Sequence, residues 1–200
     1  MPDLPAGTVT FLFTDIEGST LLLRELGEAY IAALAEHRLV LREAFVRHGG
    51  VEISTKGDAS FAVFQSAPQA LAAAAEAQTA LRPGRICVRM GLHTGEPFIS
   101  EGDYVGLDVH LAARIAAAGH GGQVVQSSKT KEFLAPGTPL LNLGRHQPKD
   151  FDDPVQLFQF GDERFPPLTT YLTRSYPGRA AFAREGSARF PKILTPAYSN

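Results

Sequence analysis

The chain has a single cysteine, Cys87, no tryptophan and only two methionines in 200 residues. One cysteine excludes an internal disulfide and fits a reducing compartment, so a cytoplasmic location is expected. No apolar run reaches the length needed to cross a bilayer, and the N-terminal MPDLPAG carries neither a basic patch nor an apolar core. Neither a membrane span nor a secretory leader is therefore expected. Excess charge is also scarce, the net being −2. Its distribution is uneven: from Phe165 onward five Arg/Lys stand against one Glu, so a tail of +4 follows a body of −6. An acidic body argues against a nucleic-acid-binding domain. What the chain does have is a 44% hydrophobic share and enough length for one domain with a sizeable core and a modest appendage.

The most informative stretch is Val9–Thr20, VTFLFTDIEGST. Val9–Phe13 is apolar, β-rich and uncharged, the pattern of a buried central strand. It runs out at Thr14 and Asp15, where a carboxylate is well sited to hold a cation over the sheet edge. Gly18, Ser19 and Thr20 then turn the chain into an apolar run from Leu21. Ser19 or Thr20 is expected to cap that helix, whose first free N–H groups make a cradle for phosphate. The plain alternative is an ordinary β-turn-α corner with Asp15 as a turn residue.

The remaining pattern is regular. Residues 21–48 read as a helix with a break near Gly27, stopped by Gly49-Gly50. Val51–Thr55 and Ser60–Phe64 read as strands joined by a Lys56-Gly57-Asp58 hairpin turn. Ser66-Ala67-Pro68 opens an Ala-rich helix to about Leu81. Ile86, Val88, Met90 and Leu92 alternate as a strand carrying Cys87 as a packed residue, followed by a loop at His93–Pro97 and a second loop at Glu101–Gly106. Asp108 is expected to cap a helix to about Ala118. Gln123–Gln126 reads as a strand, a short helix follows, and Leu140–Leu143 pairs with Val155–Phe160. The order β-α-β-β-α-β defines the expected fold class, α+β. It has a ferredoxin-like core, an antiparallel-rich sheet with helices on one face, plus a C-terminal αβ and a closing hairpin. The domain is expected to span residues 7–162. Residues 163–200 are expected to form an irregular basic tail, dispensable for folding from Phe165.

In such a core the first strand and the hairpin strands are neighbours, so Asp15 can face Asp58 at the hairpin tip. Facing carboxylates repel unless a cation lies between them, and such a pair suits two divalent metals held together with a substrate's phosphates. Taken singly, Lys-Gly-Asp is also ordinary turn chemistry.

FTDIEGST, a Gly-Asp hairpin, MGLHTGEP, YVGLDVHLAARI and the closing LGRHQPKDFDDPVQLFQF together resemble the catalytic domain of class III nucleotidyl cyclases, especially the bacterial kind, over roughly Gly7 to Phe160. The resemblance implies that Asp15 and Asp58 bind two catalytic Mg²⁺ or Mn²⁺ ions per site, with Ile16 lending a backbone carbonyl. It implies that Arg114 stabilises charge on the phosphates and that Asp103 selects the purine. Where the family carries a purine-contacting lysine this chain has Ser54, with Lys56 two residues on. Where it carries a ribose-orienting asparagine this chain has His110.

The expected activity is that of an adenylate cyclase, a phosphorus–oxygen lyase making cyclic AMP and pyrophosphate from ATP for intracellular signalling. It is expected to act as a homodimer whose sites are shared between chains. The alternatives are a guanylate cyclase and a catalytically weak or inactive nucleotide-binding module, a reading that Ser54 and His110 support. His93 is read as a structural loop residue, and His120 and His146 as surface residues.

Overall fold

A computed structural model describes residues 4–170. The chain runs β1 (Val9–Ile16), α1 (Ser19–Leu26), α2 (Ala29–Arg47), β2 (Val51–Lys56), β3 (Ala59–Phe64), α3 (Ala67–Leu81) and β4 (Val88–Gly95). It continues with β5 (Phe98–Ser100), β6 (Asp103–Val105), α4 (Leu107–Ala118), β7 (Val124–Ser127), α5 (Ser128–Glu132), β8 (Leu140–His146) and β9 (Val155–Phe160). The main sheet has the order β2-β3-β1-β4-β7-β9-β8, and β5 with β6 forms a separate small hairpin. All pairings in the main sheet are antiparallel except β4 with β7. The expected βαββαβ core is therefore present, with β1 central.

Alternation along β1 decides which helix covers which face. Leu12 and Ile16 join Leu41, Phe45, Ala70 and Ala74, so α2 and α3 share one face. Val9 and Phe11 point the other way, to Ala112 and Tyr104, so α4 and β6 cover the opposite face, and the helices do not all lie on one face as expected. The close seat of α4 depends on Gly91: a Cβ there would stand 2.2 Å from the Ala116 nitrogen. The β2–β3 turn has two residues, and Gly57 takes φ 63 at its first position, as a II′ hairpin turn requires.

Several expectations are corrected. Strand β4 runs on to Gly95, because Thr94 and Gly95 pair with Thr10 and Val9, so His93 lies in a strand and not a loop. The Gly- and acid-rich stretch after it forms the β5–β6 hairpin, with Glu101 and Gly102 at positive φ in its turn. Cys87 precedes β4 and is exposed. The cap positions fall on Gly18 for α1 and Gly106 for α4, and neither helix has a side-chain cap, so Ser19, Thr20 and Asp108 do not cap. His120 and His146 are partly buried: their Nε2 atoms donate to Pro167 O at 3.0 Å and Leu143 O at 2.9 Å.

Residues 163–170 form no helix or strand, yet they are docked. The Thr169 amide donates to Ala118 O at 2.8 Å, and Leu168 packs on the cluster of Leu111, Ile115 and Leu157. The stretch from Phe165, expected to be dispensable, thus begins inside packed chain. Main-chain hydrogen bonds anchor it, and these leave no periodic signal in sequence. The rest of the basic tail lies outside the described residues.

Candidate active site

Asp15 is the next residue after the last β1–β3 pair, Thr14↔Ser60, and Asp58 sits two residues before Ser60 in the hairpin turn. The two residues therefore lie at the same end of the β1–β3 pair, at one corner of the sheet. Tyr30, at the start of α2, reports on both: burial and Asp58 push its phenol up, Arg38 opposes them, and Asp15 adds to the rise. Arg38 on α2 donates to Gly57 O and so ties the hairpin to the helix. Asp58 itself makes no hydrogen bond or ion pair among the described residues. Ile16 follows Asp15, with its side chain buried in the core beneath α2 and α3.

The turn after β1 is set by Gly18 at φ 67, whose carbonyl accepts from the amides of Leu21 at 2.9 Å and Leu22 at 3.0 Å. Ser19 and Thr20 are the first residues of α1 beside this turn. Ser54 pairs with Phe61 and Lys56 with Ala59 across β2–β3, after a bulge between Glu52 and Ser54. Residues directly opposite on paired strands share a face, and Phe61 belongs to the cluster with Phe11. Asp15, Ser54 and Lys56 thus lie on the α4 face of the sheet.

Sequence reasoning missed Arg89. It stands directly opposite Asp15 in the β1–β4 register. Its Nε donates to Asp15 Oδ2 at 2.9 Å, its Nη2 donates to the same oxygen, and its Nη1 donates to Ala117 O at 3.3 Å. The available signal was the register of two neighbouring strands, which a single chain of letters does not carry.

His110 and Arg114 are four residues apart on α4 and both exposed, so they share one helix face. Within one protomer neither contacts Asp15 or Asp58: Arg114 Nη2 donates to Asp150 Oδ2 at 2.8 Å. Asp103 is exposed on β6, and its Oδ1 accepts from the Tyr104 amide at 2.7 Å. The fold therefore gathers Asp15, Ile16, Asp58, Ser54, Lys56 and the α1 turn at one corner and sets His110 and Arg114 apart on α4.

A polar network missed in the sequence ties the start of α4 to β4, α5 and β1. His93 is 3% exposed. Its Nε2 donates to Asp108 Oδ1 at 3.1 Å, and in the neutral ring its Nδ1 accepts from Ser127 Oγ at 2.7 Å. The Asp108 Oδ2 accepts from the Glu96 amide at 3.0 Å. Ser127 continues to Thr130 at 3.2 Å, Thr130 to Thr94 at 3.3 Å, and Thr94 to Thr10 on β1 at 2.9 Å. Gly95 leaves room for the carboxylate, since a Cβ there would stand 2.1 Å from Asp108 Oδ2. The sequence Ser127, His93, Asp108 has the residue types of a hydrolytic triad. However, Ser127 is buried and its oxygen accepts from the Thr130 amide to cap α5, so it offers no nucleophile.

The His93 hydrogen bond, opposed by burial and helped by the Glu96 amide, holds the Asp108 carboxyl down to about 2. Stability from this group is present above the unfolded value near 4 and is lost as pH falls from about 4 to about 2. Asp108→Asn is expected to cost about 2 kcal/mol at neutral pH, a figure reduced for the 30% exposure of the side chain. That corresponds to roughly 4–8 °C in Tm. Thermal melts at pH 7 and pH 3 check this, since the variant should lose less than the wild type on acidification.

Residues 2–149 match the adenylate and guanylate cyclase catalytic domain family. The chain belongs to that family and is a class III nucleotidyl cyclase domain. An uncharacterised protein of Mycobacterium tuberculosis is 38% identical over 177 residues, covering 83% of this chain and 61% of the relative, so the chain spans about three fifths of that relative's length. Structures of adenylate cyclases from Trypanosoma brucei in their monomeric state share the fold at TM-score 0.78 and 24% identity, covering 85% of this chain and 97% of theirs. A guanylate cyclase domain from Catenaria anguillulae, in complex with GTP, shares it at TM-score 0.69 and 20% identity, covering 79% of this chain and 98% of its own. No helix among the described residues is long and apolar enough to cross a membrane.

Proposed function

We propose that this chain is an adenylate cyclase converting ATP to 3′,5′-cyclic AMP and pyrophosphate, with two Mg²⁺ or Mn²⁺ ions per site. The observation that carries the reading is the placement of Asp15 and Asp58 at one sheet corner, beside the turn that opens α1. Among the described residues no group of three His, Cys, Asp or Glu side chains could hold a metal ion. Two carboxylates and a nearby main-chain carbonyl are a hard, oxygen-only donor set, incomplete without phosphate oxygens and water. Such a set fits Mg²⁺ or Mn²⁺ arriving with a nucleotide triphosphate and does not fit zinc. When bound, the ions acidify the ribose 3′-hydroxyl and neutralise charge on the phosphates.

The chain's own residues do the rest. Asp15, Asp58 and the Ile16 carbonyl hold the cations. The Gly18–Thr20 turn seats phosphate against the first amides of α1. Arg114 offers a planar guanidinium to the charge that builds on the phosphates in the transition state. His110, one turn before Arg114, presents a ring nitrogen to the ribose. Asp103 accepts from the amine at C6 of adenine, where guanine carries a carbonyl, which favours adenine over guanine.

Neither His110 nor Arg114 contacts Asp15 or Asp58 among the described residues, which supports a site completed by a second copy of the chain. Exposed apolar residues beside Asp103 and at the start of α4 support that arrangement. Phe98 is 78% and Leu107 75% exposed, with Ile99 and Val105 also open. Monomeric proteins rarely leave such patches uncovered.

Ser54 favours a second reading, relaxed purine choice or weak turnover, because its short hydroxyl cannot reach as far as a lysine would. Purified protein incubated with ATP or GTP and Mn²⁺, with products read by mass spectrometry, separates the readings. Cyclic AMP in excess of cyclic GMP supports the proposal. Excess cyclic GMP indicates a guanylate cyclase, and no cyclic product from either nucleotide indicates a binding module.

A further inference from the structure

Arg89 already occupies one of the two carboxylate oxygens of Asp15 and places a fixed positive charge beside it. Two of its nitrogens donate to the single atom Oδ2, and its third nitrogen is fixed on Ala117 O at the end of α4. The contact follows from the register that sets the residues directly opposite, so it is built into the sheet and is not a chance surface pairing. Both side chains are about two-thirds or more buried, with exposures of 27% and 30%, so solvent screens the pair only in part.

We infer that Arg89 is a resident competitor for the divalent cation at Asp15. A guanidinium cannot be deprotonated near neutrality, so the competition does not relax with pH. A divalent ion and a guanidinium on one carboxylate oxygen repel each other, and at this spacing in a partly buried site the repulsion is substantial. Asp58 carries no such partner among the described residues. The two carboxylates are therefore unequal: Asp58 is open to metal, whereas Asp15 is held until Arg89 leaves. Arg89 has a natural alternative partner in a polyphosphate, which guanidinium groups bind in a bidentate fashion. Cation loading at Asp15 thereby becomes coupled to arrival of the polyanion, and free metal alone loads the site weakly.

The inference rests on the reading of Asp15 as a cation ligand, and the test separates the two. Mn²⁺ binding is measured by electron paramagnetic resonance on the full chain without nucleotide, in wild type, Arg89→Gln, Asp15→Asn and the double variant. Arg89→Gln should bind Mn²⁺ at least about tenfold more tightly than wild type, and the gain should vanish in the double variant. Arg89→Lys, which keeps the charge but loses the fork, should fall between wild type and Arg89→Gln. It also serves if Arg89→Gln, deprived of its bond to Ala117, melts early. Mn²⁺ affinity in both Arg89 variants equal to or below wild type, or no binding in any of them, overturns the inference. If Arg89→Gln binds Mn²⁺ more tightly than wild type and keeps the whole of that gain when Asp15→Asn is added, the metal assignment at Asp15 itself fails. If Mn²⁺ binding depends on Asp15 but ignores Arg89, only the competition fails.

Discussion

Asp15→Ala and Arg114→Ala should each be nearly inactive alone, and together should recover about a quarter of wild-type turnover once subunits exchange. The single losses follow from charge. Asp15→Ala removes half of the carboxylate pair, and on the proposed reading Arg114→Ala removes the cation that meets charge developing in the transition state. Each is expected to cost at least about 100-fold in turnover. The recovery follows from geometry. Asp15 lies at the β1 corner, while Arg114 is on α4 and paired with Asp150. If each site draws Asp15 from one protomer and Arg114 from the other, a mixed dimer gathers both lesions in one site and neither in the other. Free exchange makes half the dimers mixed, each with one intact site of two, hence about a quarter. Turnover is followed as cyclic nucleotide against mixing ratio, with exchange verified by mass. No recovery despite proven exchange would place both sets in one chain.

The second large effect is acid instability centred on His37. This residue of α2 is 1% exposed, and neither ring nitrogen has a hydrogen-bond partner among the described residues. It borders a pocket of about 290 Å³ with Val40, Leu81 and Ile86. Burial and then Arg38 lower its imidazole, Asp58 opposes them, and the net is a fall to about 4. The sign follows directly. Between 6.5 and 4 the unfolded chain binds a proton that the folded chain refuses, so stability falls as pH drops through that window. Below about 4 the cost is constant at about 3 kcal/mol. His37→Leu removes two unmet polar atoms and the titration together. It should melt no lower than wild type at pH 7.5 and should lose the decline between pH 6.5 and 4. Denaturant melts across that range decide it; an unchanged decline would assign it to other groups. The window is distinct from that of Asp108, which lies below pH 4.

Much of this architecture was legible before any coordinates. The uncharged run Val9–Phe13 could only be a buried strand, and the stop at Gly49-Gly50 and the Gly57 turn announced the hairpin that carries Asp58. Those signals are local, because turn geometry and side-chain periodicity act over a few residues. The candidates Asp15 and Asp58 came from the same local signals, whereas His110 and Arg114 came only from the resemblance of YVGLDVHLAARI to the family. Boundaries were less legible. His93–Gly95 looked like a loop, since Thr, Gly and Pro favour turns, but pairing with Val9–Phe11 overrode that preference. Cap positions went to glycines at φ values that side chains rarely adopt, over the Ser and Asp that local chemistry favours.

The pairings across the sheet were out of reach. Asp15 with Arg89, and Thr10 through Thr94, Thr130, Ser127 and His93 to Asp108, join residues tens of positions apart. Their partners are chosen by strand register and by the close approach that Gly91 and Gly95 allow α4. His37 shows the same division. Its letter says only that it titrates near neutrality, whereas its burial without a partner, and hence its shifted titration, exists only once α2 is packed against α3 and the sheet.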